Sequence, residues 1–376
     1  MNQKTSFFLL FLISILFFSS CRTNAELLET YRPKKKYDKL IARVLLAKSQ
    51  YLHLSSSGKI TARDEAGKVL WKTKDYLNLN FPLEKTTILE FASERFQYSG
   101  KEYRGKLLLK PDEAKFLIIN LVDFENYLLS VVPAEMPASW PIEALKAQAI
   151  CARTYALRAI LTSSHLSYDL EGNTYSQAYG GIQAEHESST KAVLDTKGII
   201  LLYKNEPLDA LYHSNAGGIT EDAESVWSNK LEYVKTGFSK FDYPSKAFYW
   251  KYSFSLNELQ KKFDKESEES WQSLQITKAS ASGRVLELEA KSEGKSFLFS
   301  GKELRLSLGT RHFRSLKFYL VNNGREYTAH GFGFGHGVGL SQWGSYNMAK
   351  VGFDYKEILR YYYQNFRFAS LEEKKN

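Results

Sequence analysis

Residues 131–141 read Val131-Val132-Pro133-Ala134-Glu135-Met136-Pro137-Ala138-Ser139-Trp140-Pro141, and a strongly helical run follows them. Proline fixes its own φ and biases its predecessor away from helix, so this stretch is expected as a stiff turn presenting one carboxylate, Glu135. Pro141 suits the first turn of a helix running to about residue 160. Ile142, Leu145, Ala149, Ala152 and Ala156 recur there at helical spacing, and their small size predicts a closely packed neighbour. A second helix is predicted over about 184–196, ending at Gly198 and feeding a buried strand over 199–203. Upstream, strands are expected over 40–47, in a hairpin of 59–64 and 68–71, and in a pair of 103–110 and 116–121. Downstream, a helix over 255–263 precedes an acidic loop at 264–269 and strands at 284–290, 297–300 and 316–321. The predicted class is α+β: a β-rich N-terminal part, central helices around a cleft, and a mixed α/β C-terminal part.

At 376 residues the chain has room for one large or two ordinary domains, and 14% aromatic with 25% charged residues describes a packed protein. Its N-terminus departs from that pattern. Lys4 precedes an apolar run from Phe7 to Phe18 and then Ser19-Ser20-Cys21, the layout of a secretory signal over 1–20. Small residues before Cys21 resemble a bacterial lipoprotein signal, with Phe18 standing where that signal usually carries Leu. Cys21 is therefore the expected lipidation site, 21–39 the tether, 40–368 the main domain with a β-rich subdomain at 245–325, and 369–376 a polar tail. With Cys21 acylated, Cys151 is the only other thiol, so no intramolecular disulfide forms and no cysteine-rich metal site can be built. A net charge of +9 on an exported protein suits anionic wall polymers or lipid head groups, and nucleic acid is not an expected partner.

Three polar clusters stand out. The first is Glu135 with the helix carrying Gln148, Arg153 and Tyr155. The second is Tyr212-His213-Ser214-Asn215-Ala216-Gly217-Gly218-Ile219-Thr220, where a strand runs into a loop that can bring amides close to a ligand. The third runs from His330 to Gly344, with glycine at alternate positions and Phe332, Phe334 and His336 expected to project to one side. Other chemistries fit these clusters less well. No Lys-Ser/Thr follows the glycines, as a phosphate loop would require. His213, His330 and His336 lack the helical spacing of a zinc motif. A Ser214, His336 and Asp222 triad has no Gly-x-Ser-x-Gly turn. Met136 and Trp140 are expected to pack, and Arg153 reads equally well as a structural ion-pair partner.

Taken together, "FENYLLSVVPAEMPASWPIEALKAQAICARTYAL", "YHSNAGGITEDAESVW" and "GFGFGHGVGLSQWGSYNMAKVGFDYKEILRYYY" resemble the SpoIID/LytB family of peptidoglycan proteins, with "SGRVLELEA", "FSGKELRLSLG" and "FRSLKFYL" between them. That resemblance implies a lytic transglycosylase that cuts MurNAc–GlcNAc links in glycan strands lacking stem peptides, with Glu135 as the catalytic acid/base. It requires no cofactor. Gln148, Arg153, Tyr155, Gln177, Tyr179, His213, Ser214, Asn215, Gly217, Gly218, His336, Ser341 and Gln342 become candidate substrate contacts. The LytB side of the family implies an alternative, a non-catalytic wall-binding enhancer of an N-acetylmuramoyl-L-alanine amidase. Some members bind zinc through a Cys/His cluster before a Gln-x-Tyr motif. Residues 171–179 keep Gln177 and Tyr179 but lack the thiols and imidazole, so no zinc is expected there.

Overall fold

The computed structural model describes residues 28–31, 40–83, 85–173, 176–263, 270–324 and 326–371. The expected leader, Cys21, the acidic stretch 264–269 and the end of the polar tail lie outside the described residues. The fold is α+β with a β-rich N-terminal part, as expected.

A nine-stranded sheet comes first. Its order is Leu170–Glu171, Ile41–Ser49, Lys115–Asp123, Lys106–Asp112, Thr87–Phe91, Tyr51–Arg63, Arg95–Tyr98 and Lys101–Arg104, with Val69–Asn80 pairing Tyr51–Arg63. The hairpin strands are longer than their apolar runs suggest, because cross-strand pairing carries the polar residues along. The expected strand over 103–110 is broken at Gly105, where a Cβ would sit 2.2 Å from the Leu121 carbonyl oxygen.

Helix α1 spans Phe124–Glu135, and here the expected turn is corrected. Asp123 caps it by accepting from the Asn126 N–H at 3.2 Å, and Tyr127, Leu128, Val131 and Val132 recur at helical spacing and are buried. Packing of that face overrides the bias against helix before Pro133. The chain becomes extended only at Met136 (φ −132°, ψ 130°), so Glu135 is the last residue of a helix rather than the tip of a turn. Helix α2, Ile142–Thr162, follows from Pro141 as its N-cap, and α3, Glu187–Asp195, packs on it. Ile199–Tyr203 forms a strand beside Arg367–Leu371, which also pairs in parallel with Glu29–Tyr31. Tyr31 and Ala369 are buried, so both ends of the main domain reach into segments expected as tether and tail.

Residues 250–329 enclose their own apolar core around Trp250, Leu288, Phe299, Phe313 and Ala329. A two-residue parallel ladder pairs Tyr212 with Leu340 and His213 with Ser341, and helix Gln342–Lys350 begins at once and packs on α2. This short ladder brings the second and third sequence clusters beside the first.

Candidate functional site

Glu135 stands at the C-terminal end of α1, half-buried. Its carboxyl accepts the Ala178 N–H at 2.6 Å and a hydrogen bond from the Tyr212 hydroxyl. Burial pushes its pKa above the ordinary 4.5, and those two donors offset part of the rise. The carbonyl end of a helix also carries partial negative charge, which further disfavours a carboxylate there. Among the described residues no cation pairs with it.

The Tyr212 hydroxyl is oriented by a relay of fixed polarity. Tyr127 donates to Gln177 Oε1 at 3.1 Å, so the Gln177 amide nitrogen faces the other way and donates to the Tyr212 oxygen at 3.1 Å. That oxygen already accepts, and its own proton is left for Glu135. Tyr127 and Gln177 are fully buried, so the amide has no alternative solvent partner. Gln342 donates from Nε2 to the Glu135 carbonyl at 3.1 Å and to Gln148 Oε1 at 3.4 Å, tying helix Gln342–Lys350 to the end of α1 and to α2. Among the described residues Gln148 Nε2 is buried without a hydrogen-bond partner. Tyr155 lies near Glu135 and hydrogen-bonds Ser176, and burial raises its pKa above the ordinary 10.

The two glycine loops meet backbone to backbone. A Cβ on Gly217 would lie 2.6 Å from the Phe332 carbonyl carbon, and one on Gly333 2.6 Å from the Asn215 carbonyl oxygen, so both positions need glycine. Asp242, which no sequence pattern marked, ties the loops together. Its carboxyl, with a pKa raised by burial, accepts Ser341 Oγ at 2.5 Å and the Gly218 N–H at 2.9 Å, while its carbonyl accepts Asn215 Nδ2 at 3.0 Å. Beneath them lies Arg284, 2% exposed, donating to the carbonyls of Ala216 and Ile219 at 2.8 and 3.0 Å. Ser214 accepts the Trp343 N–H at its carbonyl, 3.0 Å away.

Several expected contacts take other roles. Arg153 is fully buried and grips Glu125 with two 2.8 Å bonds, plus Val193 O at 3.1 Å, so it ties α2 to α1 and the end of α3 and does not face Glu135. Tyr179 is buried against Tyr103 and Tyr127 with its hydroxyl on Asn120 Oδ1 at 2.8 Å. Asn215 and Ser341 are buried loop and cap residues. His336 donates from Nε2 to Tyr212 O at 3.0 Å and accepts Val338 N at Nδ1, 3.1 Å, so neither nitrogen is left to serve Ser214 as a base. Burial pushes its pKa down to about 4. His213 is buried, donates from Nδ1 to Val338 O at 3.1 Å, and burial holds it well below the usual value. His330 bonds the Tyr249 hydroxyl at 2.7 Å on a different sheet, so the three histidines do not converge. Phe332, Phe334 and His336 do not share one side: they pack on Phe248 and Tyr249, under Arg314, and against His213 and Trp227 respectively. Positive φ at Gly333, Gly335 and Gly337 turns the chain between them. Trp140, Trp343 and Tyr346, all half-buried, form a ring cluster with centroids 4.7–5.4 Å apart.

One half-buried carboxyl on an α+β frame, held by Ala178 and Tyr212 and joined through Gln342 to the interlocked glycine loops, defines the class of site. Residues 112–203 match the SpoIID family, described as stage II sporulation protein, and 218–339 match a domain of unknown function. Stage II sporulation protein D of Bacillus subtilis is 32% identical over 266 residues, covering 67% of this chain and 76% of that protein. An uncharacterized protein of Brachyspira hyodysenteriae is 34% identical over 284 residues, covering 74% of this chain and 75% of the relative. The amidase enhancer of Bacillus subtilis is 30% identical over 324 residues, 72% of this chain and 44% of the enhancer. The chain belongs to the SpoIID family.

Proposed function

We propose that the protein is an exported, lipid-anchored peptidoglycan lytic transglycosylase that cleaves MurNAc–GlcNAc links in peptide-stripped glycan strands, with Glu135 as its single general acid/base. The observation that carries this reading is the setting of Glu135: a carboxyl with a raised pKa, held by one N–H and one phenol and paired with no cation among the described residues. Ordinary glycosidases need a second carboxylate as nucleophile or to activate water. In this reaction Glu135 protonates the oxygen leaving MurNAc C1, and the C1–O bond breaks. The carboxylate then takes the proton of the sugar's own 6-hydroxyl as that oxygen bonds to C1. A 1,6-anhydro end forms, no water enters, and the acid is restored. Tyr212 and the Ala178 N–H steady the carboxylate between the two steps.

Similarity to the amidase enhancer favours a second reading, in which the protein binds wall strands and stimulates an amidase without cutting glycan. The test is mass spectrometry of stripped strands incubated with wild type and Glu135→Gln. Anhydro-MurNAc ends from the wild type alone uphold the transglycosylase. Binding without cleavage by either protein moves the assignment to the enhancer.

A further inference from the structure

The sheet formed by Tyr249–Phe254, Tyr327–Phe332 and Phe318–Asn322 has two unlike faces. Inward, Trp250, Phe254, Phe318 and Ala329 bury the core of the 250–329 unit, with Gly331 leaving room for the Trp250 ring. Outward, strand register sets Tyr249 beside Phe332, and His330 between Lys251 and Tyr319. Tyr249 is 47% and Tyr319 51% exposed, and among the described residues of these three strands none that faces outward is acidic.

The rings form a continuous path. Centroids are 5.4 Å apart from Tyr243 to Phe248, 5.9 Å to Phe332 and 5.7 Å to Tyr249, then 6.2 Å to His330 and 5.1 Å to Tyr319, which lies nearly parallel to it at 7°. The path starts at the candidate site. Phe248 lies 3.8 Å from where a Gly218 Cβ would be, and Phe332 backs onto Gly217. The loop of these glycines bonds Trp343, whose neighbour Gln342 bonds Glu135.

An aromatic surface exposed at Tyr243, Tyr249 and Tyr319 is costly unless it is covered in use. Rings with polar handles suit a ligand that alternates C–H faces with hydroxyls. Basic charge without acid suits an anionic one, and Lys251 is exposed on the same face. A glycan strand stripped of its peptides meets both demands, since each MurNAc then carries a free lactyl carboxylate. We propose that this aromatic, basic sheet face is a distal binding track for peptide-stripped glycan strands, running away from the Gly217–Gly218 loop. The ligand class rests on the function proposed above, whereas the track itself does not require cleavage.

The test uses the full chain carrying Glu135→Gln, so that strands are not consumed, and compares it with the same chain also carrying Tyr249→Ala and Tyr319→Ala, or Lys251→Glu. Affinity is measured for long stripped strands and for a tetrasaccharide of two disaccharide repeats. Long-strand binding should weaken about tenfold in each track variant while tetrasaccharide binding and the melting temperature stay as they were. Amidating the lactyl carboxylates should weaken long-strand binding to the parent chain and remove the effect of Lys251→Glu. Equal long-strand affinity in parent and variants overturns the track, including if an amidase proves to be what the face binds. A wild type that cuts no glycan, with the track variants still losing strands, overturns the catalytic reading alone.

Discussion

Removing the Tyr212 hydroxyl gives the sharpest expectation about how Glu135 works. In Tyr212→Phe the carboxyl keeps the Ala178 N–H at 2.6 Å and loses its phenol donor, while Gln177 Nε2 keeps Ala152 O at 3.4 Å. A hydrogen bond to a charged group contributes about 1.5–3 kcal/mol, equivalent to roughly one to two pKa units. Glu135 is half-buried, so water replaces part of the lost bond and about one unit remains. The sign follows from which form the bond favours. Tyr212 stabilises the carboxylate, so its loss raises a pKa that burial already holds above 4.5. Glu135 must start protonated, and activity falls as pH rises through that pKa. The basic limb of the pH–rate profile for anhydro-end formation should therefore move up by about one unit in the variant. A limb that stays put, or moves down, refutes the assigned donor and the acid role together.

Three further outcomes follow from the same contacts. Arg153→Met leaves Glu125 inside without its bidentate partner and should cost about 3–5 kcal/mol of stability, seen as a lower denaturant midpoint, with strand affinity per folded molecule unchanged; lost affinity at wild-type stability would restore Arg153 to the binding site. Asp242→Ala strands the Ser341 hydroxyl and the Gly218 N–H, at about 1–3 kcal/mol each, and should lower melting temperature and cleavage together; an active variant of wild-type stability contradicts its role as a tie. Glu135→Gln removes a carboxyl whose folded-state pKa is raised. That group's contribution to stability is full below 4.5 and is lost as pH rises through the folded value, so the variant should melt higher than wild type at pH 7 and no higher below 4.5. Identical melting curves at both pH values would contradict the burial argument.

Local pattern made much of this frame legible. The repeat of Ile142, Leu145, Ala149, Ala152 and Ala156 marked α2, and small residues there do admit the neighbouring helix. The prolines around Glu135 misled in one respect, because the buried face of Tyr127, Leu128, Val131 and Val132 outweighs their local bias. Long-range partners were not legible. Tyr212 reaches Glu135 across 77 positions of chain only because a two-residue ladder aligns it with Leu340, and nothing local to Asp242 or Arg284 shows that they sit beneath two glycine loops. Polar residues picked for sugar contact, such as Arg153, Tyr179 and Asn215, are buried, and their hydrogen bonds hold elements together. Residue type alone does not separate a buried tie from a surface contact.

Whether one carboxyl acts without water is decided by running the cleavage of peptide-stripped strands in oxygen-18 water and reading the new MurNAc ends by mass spectrometry. Anhydro ends free of the label are expected. Labelled reducing ends formed from the start of the reaction would mean hydrolysis, and would contradict the assignment of Glu135 as the sole acid/base of a transglycosylase.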